Sequence, residues 1–130
     1  LLWCQMADDK ERCVTMMINR NGRRRFKSVN DPEAQINHLL SVYHRAGHEP
    51  LQIFPRSSWD YVVLRFEKAY SVDKALKRIR NQWDQSYQRP GEAEDPYIQA
   101  CFRNSDPLDQ SFVEMTETLY DPIMQAVEQF

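Results

Sequence analysis

Five cations stand within eight residues, Arg20, Arg23, Arg24, Arg25 and Lys27, the densest group of cations in the sequence. Guanidinium and ammonium groups at that density can sit over phosphates, which needs charge and reach but no base-specific geometry. The same residues could instead guard a strand edge against aggregation or face an acidic protein, and their types alone do not choose among these. Catalytic arrangements are harder to assemble. Asp31, Glu33, Asp60, Asp106 and Asp109 all fall at expected helix starts, where the positive end of a helix favours acids. No HExxH, GxSxG, Walker loop or GxGxxG occurs, and no motif sets Ser, His and acid together as a triad. His44 and His48 have Gly47 between them and straddle a helix end, whereas a zinc site needs three or four convergent ligands. Neither a metal nor a cofactor is expected.

The element that must position the cations reads as a hairpin. Cys13-Val14-Thr15-Met16-Met17-Ile18 and Arg23-Arg24-Arg25-Phe26-Lys27-Ser28-Val29 flank Asn21-Gly22, a strong local signal for a two-residue turn. With Asn21 and Gly22 as the loop, Arg20 faces Arg23, Met17 faces Phe26 and Val14 faces Val29, which leaves a cationic tip and an apolar base. The apolar block from Leu1 to Ala7 reads as a further strand. Leu51, Ile53 and Phe54, fenced by Pro50 and Pro55, suit a brief edge strand that completes the sheet.

Helical signals fill the remainder. Asp31-Pro32 starts a helix marked by Ile36, Leu39, Leu40 and Tyr43 and closed by Gly47. Ser57 and Asp60 form a capping box for a second, whose face is Trp59, Val62, Val63, Phe66 and Tyr70. Ser71 interrupts it before Val72, Ala75, Leu76, Ile79 and Trp83 mark a third. Lys74, Lys77, Arg78 and Arg80 on that third helix read as its solvated side. Gln85 to Asp95 is the long loop, and Asp95-Pro96 starts a short segment that buries Tyr97, Ile98, Cys101 and Phe102. Asp106-Pro107 opens the last element, with Leu108, Phe112, Met115, Leu119 and Tyr120. Asp121-Pro122 kinks or restarts that element before Ile123, Met124, Val127 and Phe130. The expected fold is α+β: a small, mainly antiparallel sheet with a central hairpin, packed by about five helices, strand-rich over 1–56 and helical over 57–130, around one core.

Composition bounds the class. A chain of 130 residues with 42% hydrophobic and 12% aromatic content can bury a core and is not disordered. A mean hydropathy of -0.72 and the lack of a long apolar run argue against a membrane-spanning protein. The net charge of -2 and pI near 5.9 give no global pull toward nucleic acid, so any such contact is local. Cys4, Cys13 and Cys101 are odd in number and lack a CxxC spacing, which points to buried thiols in a reducing compartment rather than a disulfide framework. The start at Leu1-Leu2-Trp3-Cys4, without Met or signal-peptide features, fits a piece of a longer chain.

Four segments carry a family resemblance. Glu49-Pro50-Leu51-Gln52-Ile53-Phe54-Pro55-Arg56-Ser57-Ser58-Trp59-Asp60-Tyr61 resembles a stretch near the C-terminus of the gamma subunit of bacterial exodeoxyribonuclease V, the RecC family. In the same order, Asp31-Pro32-Glu33-Ala34 with Leu39-Leu40-Ser41-Val42-Tyr43 resembles the helix before it, Arg89-Pro90-Gly91-Glu92-Ala93-Glu94-Asp95-Pro96-Tyr97 resembles its glycine- and acid-containing loop, and Phe102-Arg103-Asn104-Ser105-Asp106-Pro107-Leu108 resembles its approach to the last helix. The similarity spans residues 12 to 130 as a diffuse pattern without a catalytic signature.

The resemblance implies the terminal part of a degenerate restriction-endonuclease-like domain. Such nucleases hold Mg²⁺ with carboxylates on a strand pair, and here no acid lies between Cys13 and Asn30. It further implies a cytoplasmic, non-catalytic scaffold within the RecBCD helicase-nuclease that processes double-strand DNA ends. The implied partners are RecD and RecB, with DNA met through the parent complex. Exposed aromatics of the helical half, Trp83, Tyr87, Tyr97 and Phe130, are the expected partner contacts. The alternative is a DNA-path contact through Arg20, Arg23, Arg24, Arg25 and Lys27.

Overall fold

In the computed structural model, which describes residues 15–19, 22–84 and 90–128, the chain is α+β; the described residues form a three-stranded antiparallel sheet and five α-helices. It divides into two compact units, Leu1–Glu49 with Leu119–Phe130, and Pro50–Thr118. The division falls at 49/50 rather than 56/57, and the end of the chain belongs with the sheet rather than with the helices.

In the first unit, β1 (Thr15–Asn19) pairs with β2 (Gly22–Phe26) as an antiparallel hairpin. The register differs from the sequence expectation by two residues: Met17 lies opposite Arg24 and Thr15 opposite Phe26, with Asn19 and Gly22 as the closing pair. A two-residue shift leaves the inward and outward alternation intact, so the apolar pattern cannot distinguish the two registers. Arg23, expected opposite Arg20, lies opposite Ile18 instead; the expected Val14–Val29 pair involves Val14, which lies outside the described residues, as does the strand expected over Leu1 to Ala7.

The third strand is β3 (Val127–Glu128), which places Val127 opposite Phe26 and Glu128 opposite Arg25. It replaces the edge strand expected at Leu51–Phe54. The Lys27 N–H donates to the Ala126 carbonyl at 2.8 Å and extends this pairing by one bond. β2 is therefore central, and of its cations Arg25 has a strand neighbour on each side while Arg23 and Arg24 are paired by β1.

Helix α1 (Pro32–Ala46) forms as its local signals dictate. Asp31, in the left-handed region at φ 49°, accepts a hydrogen bond from the Ala34 N–H at 3.0 Å, and Pro32 needs no partner in the first turn. At the other end the Gly47 N–H donates to the His44 carbonyl. The stripe of Ile36, Leu39, Leu40 and Tyr43 is not a core face, however, because no residue of α1 is buried.

The second unit holds α2 (Pro55–Val62), which continues through a π-helical turn at Val63–Glu67, then α3 (Val72–Trp83), α4 (Pro96–Cys101) and the first half of α5 (Gln110–Ala126). Its core gathers around Phe54, whose ring lies 4.8 Å from Trp83, 5.6 Å from Phe102 and 5.9 Å from Phe112. Tyr61, Val62, Ile79 and Leu108 complete it. This packing explains the missing edge strand. Phe54 is buried at the start of a helix, its N–H donates to the Ser58 hydroxyl at 3.0 Å, and the Ile53 N–H is used locally on the Leu51 carbonyl.

Several helix ends depart from their local sequence signals. Phe54 is the residue before α2 and makes no side-chain cap. The expected Ser57–Asp60 capping box is replaced by Glu92, which accepts from the Arg56 and Ser57 N–H groups at 2.9 Å each and from the Ser57 hydroxyl at 2.6 Å. A carboxylate from a 3₁₀ turn (Glu92–Glu94) thus satisfies donors of a helix start 35 residues away. The inward face of α2 is Ser58, Tyr61 and Val62, while Trp59, expected inside, is exposed.

Asp95 caps α4 through its side chain at the start that Asp95-Pro96 signals, and Ser71, read only as an interruption, caps α3. The start of α5 is capped by Asp109, which accepts from the Ser111 and Phe112 N–H groups, rather than by Asp106. Pro122 does not restart a helix; α5 runs through it to Ala126, where Val127, expected on the helix face, joins the sheet. Cys101, expected to be buried, is an exposed free thiol.

Candidate functional site

β2 distributes its cations over both faces of the sheet. Alternation places Arg23 and Arg25 on one side with Met16 and Ile18, and Arg24 on the other with Met17 and Phe26. Arg25 bonds Glu128 of β3 at 3.2 Å, so a carboxylate does reach this sheet, from a strand that the sequence did not offer. Arg23 and Lys27 are exposed, Arg24 and Arg25 half-buried. The five cations are therefore not one patch: Arg23 and Arg25 share a face, Arg24 is opposite, and Arg20 lies outside the described residues.

The four expected partner contacts separate as well. Trp83 is 8% exposed, with its ring edge-on to Phe54. It is a core residue rather than a surface anchor, because the apolar stripe of α3 that contains it is the stripe that buries Ala75 and Ile79. Tyr97 is 81% exposed on α4, which corrects its reading as buried and keeps it as a contact candidate. Tyr87 and Phe130 lie outside the described residues.

The surface that the sequence reading missed is in the first unit. Leu39, Leu40 and Tyr43 of α1 are all exposed, Tyr43 at 74%, together with Met16, Met17 and Ile18 of β1 and Ile123 of α5. Phe26, Val29, His38, Leu119 and Ala126 line an apolar cleft together with Leu39 and Ile123, on the face of the sheet away from Met16 and Ile18. Within it the His38 Nε2 is buried without a hydrogen-bond partner among the described residues, a feature that costs about 1–3 kcal/mol where it persists. Spacing could not reveal this surface, since an apolar stripe looks the same whether its own chain or another covers it.

In the second unit, the polar groups are mutually satisfied. Glu117 accepts from the Tyr61 hydroxyl at 2.7 Å and from Arg65 Nε at 3.0 Å. Burial, then the Glu117 carboxylate, pushes the Tyr61 phenol far above its ordinary range, so it stays a neutral donor. The Glu117 hydrogen bond raises Arg65 in turn. Burial raises the Asp60 carboxyl, with Arg56 opposing. On the basic side of α3, Arg80 bonds Asp106 at 2.5 and 3.1 Å and the Leu108 carbonyl at 2.8 Å, and Lys74 sits 3.9 Å over the Tyr70 ring. These contacts use part of that stripe for internal packing.

Among the described residues no three His, Cys, Asp or Glu side chains gather in a way that could hold a metal ion, and no helix is long and apolar enough to cross a membrane. No protein-family model matches the chain, and none of the curated proteins is significantly similar to it.

Proposed function

We propose that this chain is a non-catalytic assembly module, the terminal part of a RecC-type gamma subunit whose domain descends from the restriction-endonuclease-like nucleases. In this reading it helps to hold RecD on RecB and the rest of RecC in a cytoplasmic helicase-nuclease acting at double-strand DNA ends. The reading is motivated by the resemblance of residues 12 to 130, and the observation that carries it is the apolar surface of α1. Leu40 and Tyr43 stand 49% and 74% exposed on a helix with no buried residue. Contiguous apolar surface of this kind marks a face that another protein covers.

Recovery of RecD with the intact complex tests the proposal. Leu40→Asp with Tyr43→Asp is expected to reduce co-purifying RecD at least about tenfold, the scale of a desolvated anchor lost from an interface. Undiminished recovery overturns the α1 surface as the contact. Tyr97→Ala in the same assay asks whether the second unit contributes.

A DNA-path role is the second reading, favoured by Arg23, which is exposed at the hairpin and has no ion-pair partner among the described residues. On that reading, affinity for duplex ends falls with rising salt and falls again on replacing Arg23, Arg24 and Arg25 with Ala. A titration without either dependence excludes it.

A further inference from the structure

The outer face of the sheet carries its own pattern. Hairpin register sets Ile18 opposite Arg23 and Met16 opposite Arg25, all on the face away from Phe26 and the apolar cleft. Ile18 is 69% exposed and Met16 48%. The one carboxylate that the register adds to this face, Glu128, is engaged by Arg25, while Arg23 has no ion-pair partner among the described residues. Two apolar side chains thus alternate with two guanidiniums across adjacent strands, and among the described residues only Arg25 has an ion-pair partner.

We propose that this face docks an acidic, apolar segment of a partner protein, its aliphatic side chains covering Ile18 and Met16 and its carboxylates meeting Arg23 and Arg25. The inference rests on the assembly reading and names the chemistry of the segment that such a partner presents. Charge complementarity favours acid opposite Arg23, and a carboxylate can meet a guanidinium through two parallel hydrogen bonds. Exposed aliphatics beside that charge demand an apolar counterpart. A nucleic-acid strand fits less well, because base recognition on a sheet uses aromatic rings as stacking platforms and this face presents Met and Ile.

Fluorescence anisotropy on the whole chain tests the proposal with a labelled peptide of alternating Glu and Leu as the probe. A Lys-Leu peptide and an oligothymidylate serve as controls. Saturable binding of the Glu-Leu peptide is expected, about tenfold weaker for Arg23→Glu and for Ile18→Asp, and largely kept by Arg23→Lys, which preserves charge and fold. Equal binding of the Lys-Leu peptide, or no response to either substitution, overturns it. So does tight oligothymidylate binding that depends on Arg23 and not on Ile18, which makes the face a nucleic-acid contact. Failure here with RecD still lost from the Leu40→Asp, Tyr43→Asp complex refutes the acidic segment alone. Peptide binding as expected with RecD recovery undiminished refutes instead the assembly role of α1.

Discussion

Residues 50–118 and the sheet unit treat their apolar side chains in opposite ways. The helical unit hides Phe54, Tyr61, Val62, Leu64, Ala75, Ile79, Trp83, Leu108, Phe112 and Val113, whereas among the described residues of the sheet unit only Ala126 is a buried hydrophobic. The sheet unit instead leaves Met16, Met17, Ile18, Leu39, Leu40, Tyr43 and Ile123 exposed. Both units contain well-capped helices, so local helix signals do not account for the contrast. The difference lies in what covers each stripe once it has formed. One unit covers its apolar stripes with its own contacts, and the other leaves its stripe exposed, which is the surface that the proposed assembly role would bury.

The largest expected effect separates the units directly. Phe112 is fully buried between Phe54 and Tyr61, and Phe112→Ala should cost about 3–5 kcal/mol in urea unfolding. Leu40→Ala, on a stripe of the same chemistry, should cost within about 0.5 kcal/mol. Comparable costs would erase the contrast.

The two described loop glycines outside the hairpin give a second, smaller contrast. A Cβ on Gly91 would overlap the Trp83 carbonyl, which is backbone and cannot swing aside, whereas one on Gly47 would meet only the His44 carbonyl at 3.3 Å. Gly91→Ala should therefore destabilise by about 1–3 kcal/mol, as overpacking does, and Gly47→Ala by less; thermal unfolding of the two variants checks the order.

The smallest effect is electrostatic and confined to acid. The Arg80 hydrogen bond holds the Asp106 carboxyl below its ordinary value of 3.8. A carboxyl depressed in the folded state adds stability that is present in full above its unfolded pKa and is lost as pH falls through the lowered folded value. Asp106→Asn should flatten the acid limb of stability below about pH 4 and leave the slope at neutral pH unchanged. Both partners are nearly half-exposed, so solvent screening keeps the change small. An unchanged acid limb would show that the pair contributes nothing.

The sequence made legible those features that are set within a few residues. Asp31 and Asp95 cap the helices their types announce, and a hairpin forms next to the Asn21-Gly22 signal, though with Gly22 in the strand rather than the loop. Features settled by distant partners were not legible. Glu92 caps α2 from another part of the chain, β3 comes from residues that continue a helical stripe, and Phe54 enters an aromatic core instead of a sheet. The candidate site suffered most, because it depends on exposure. Tyr97 and Trp83 are both aromatic residues on helices, and only packing shows that one faces solvent and the other is enclosed. The cations were visible as a run, but their division between two faces follows from pairing and alternation along β2.

Hydrogen–deuterium exchange on the intact complex, with and without RecD, tests the central claim most directly. The account predicts that RecD slows exchange in α1, over residues 36–46, and leaves α3, over 72–83, unchanged because its apolar stripe is already packed. Protection confined to residues 50–118, or none in either unit, would contradict it.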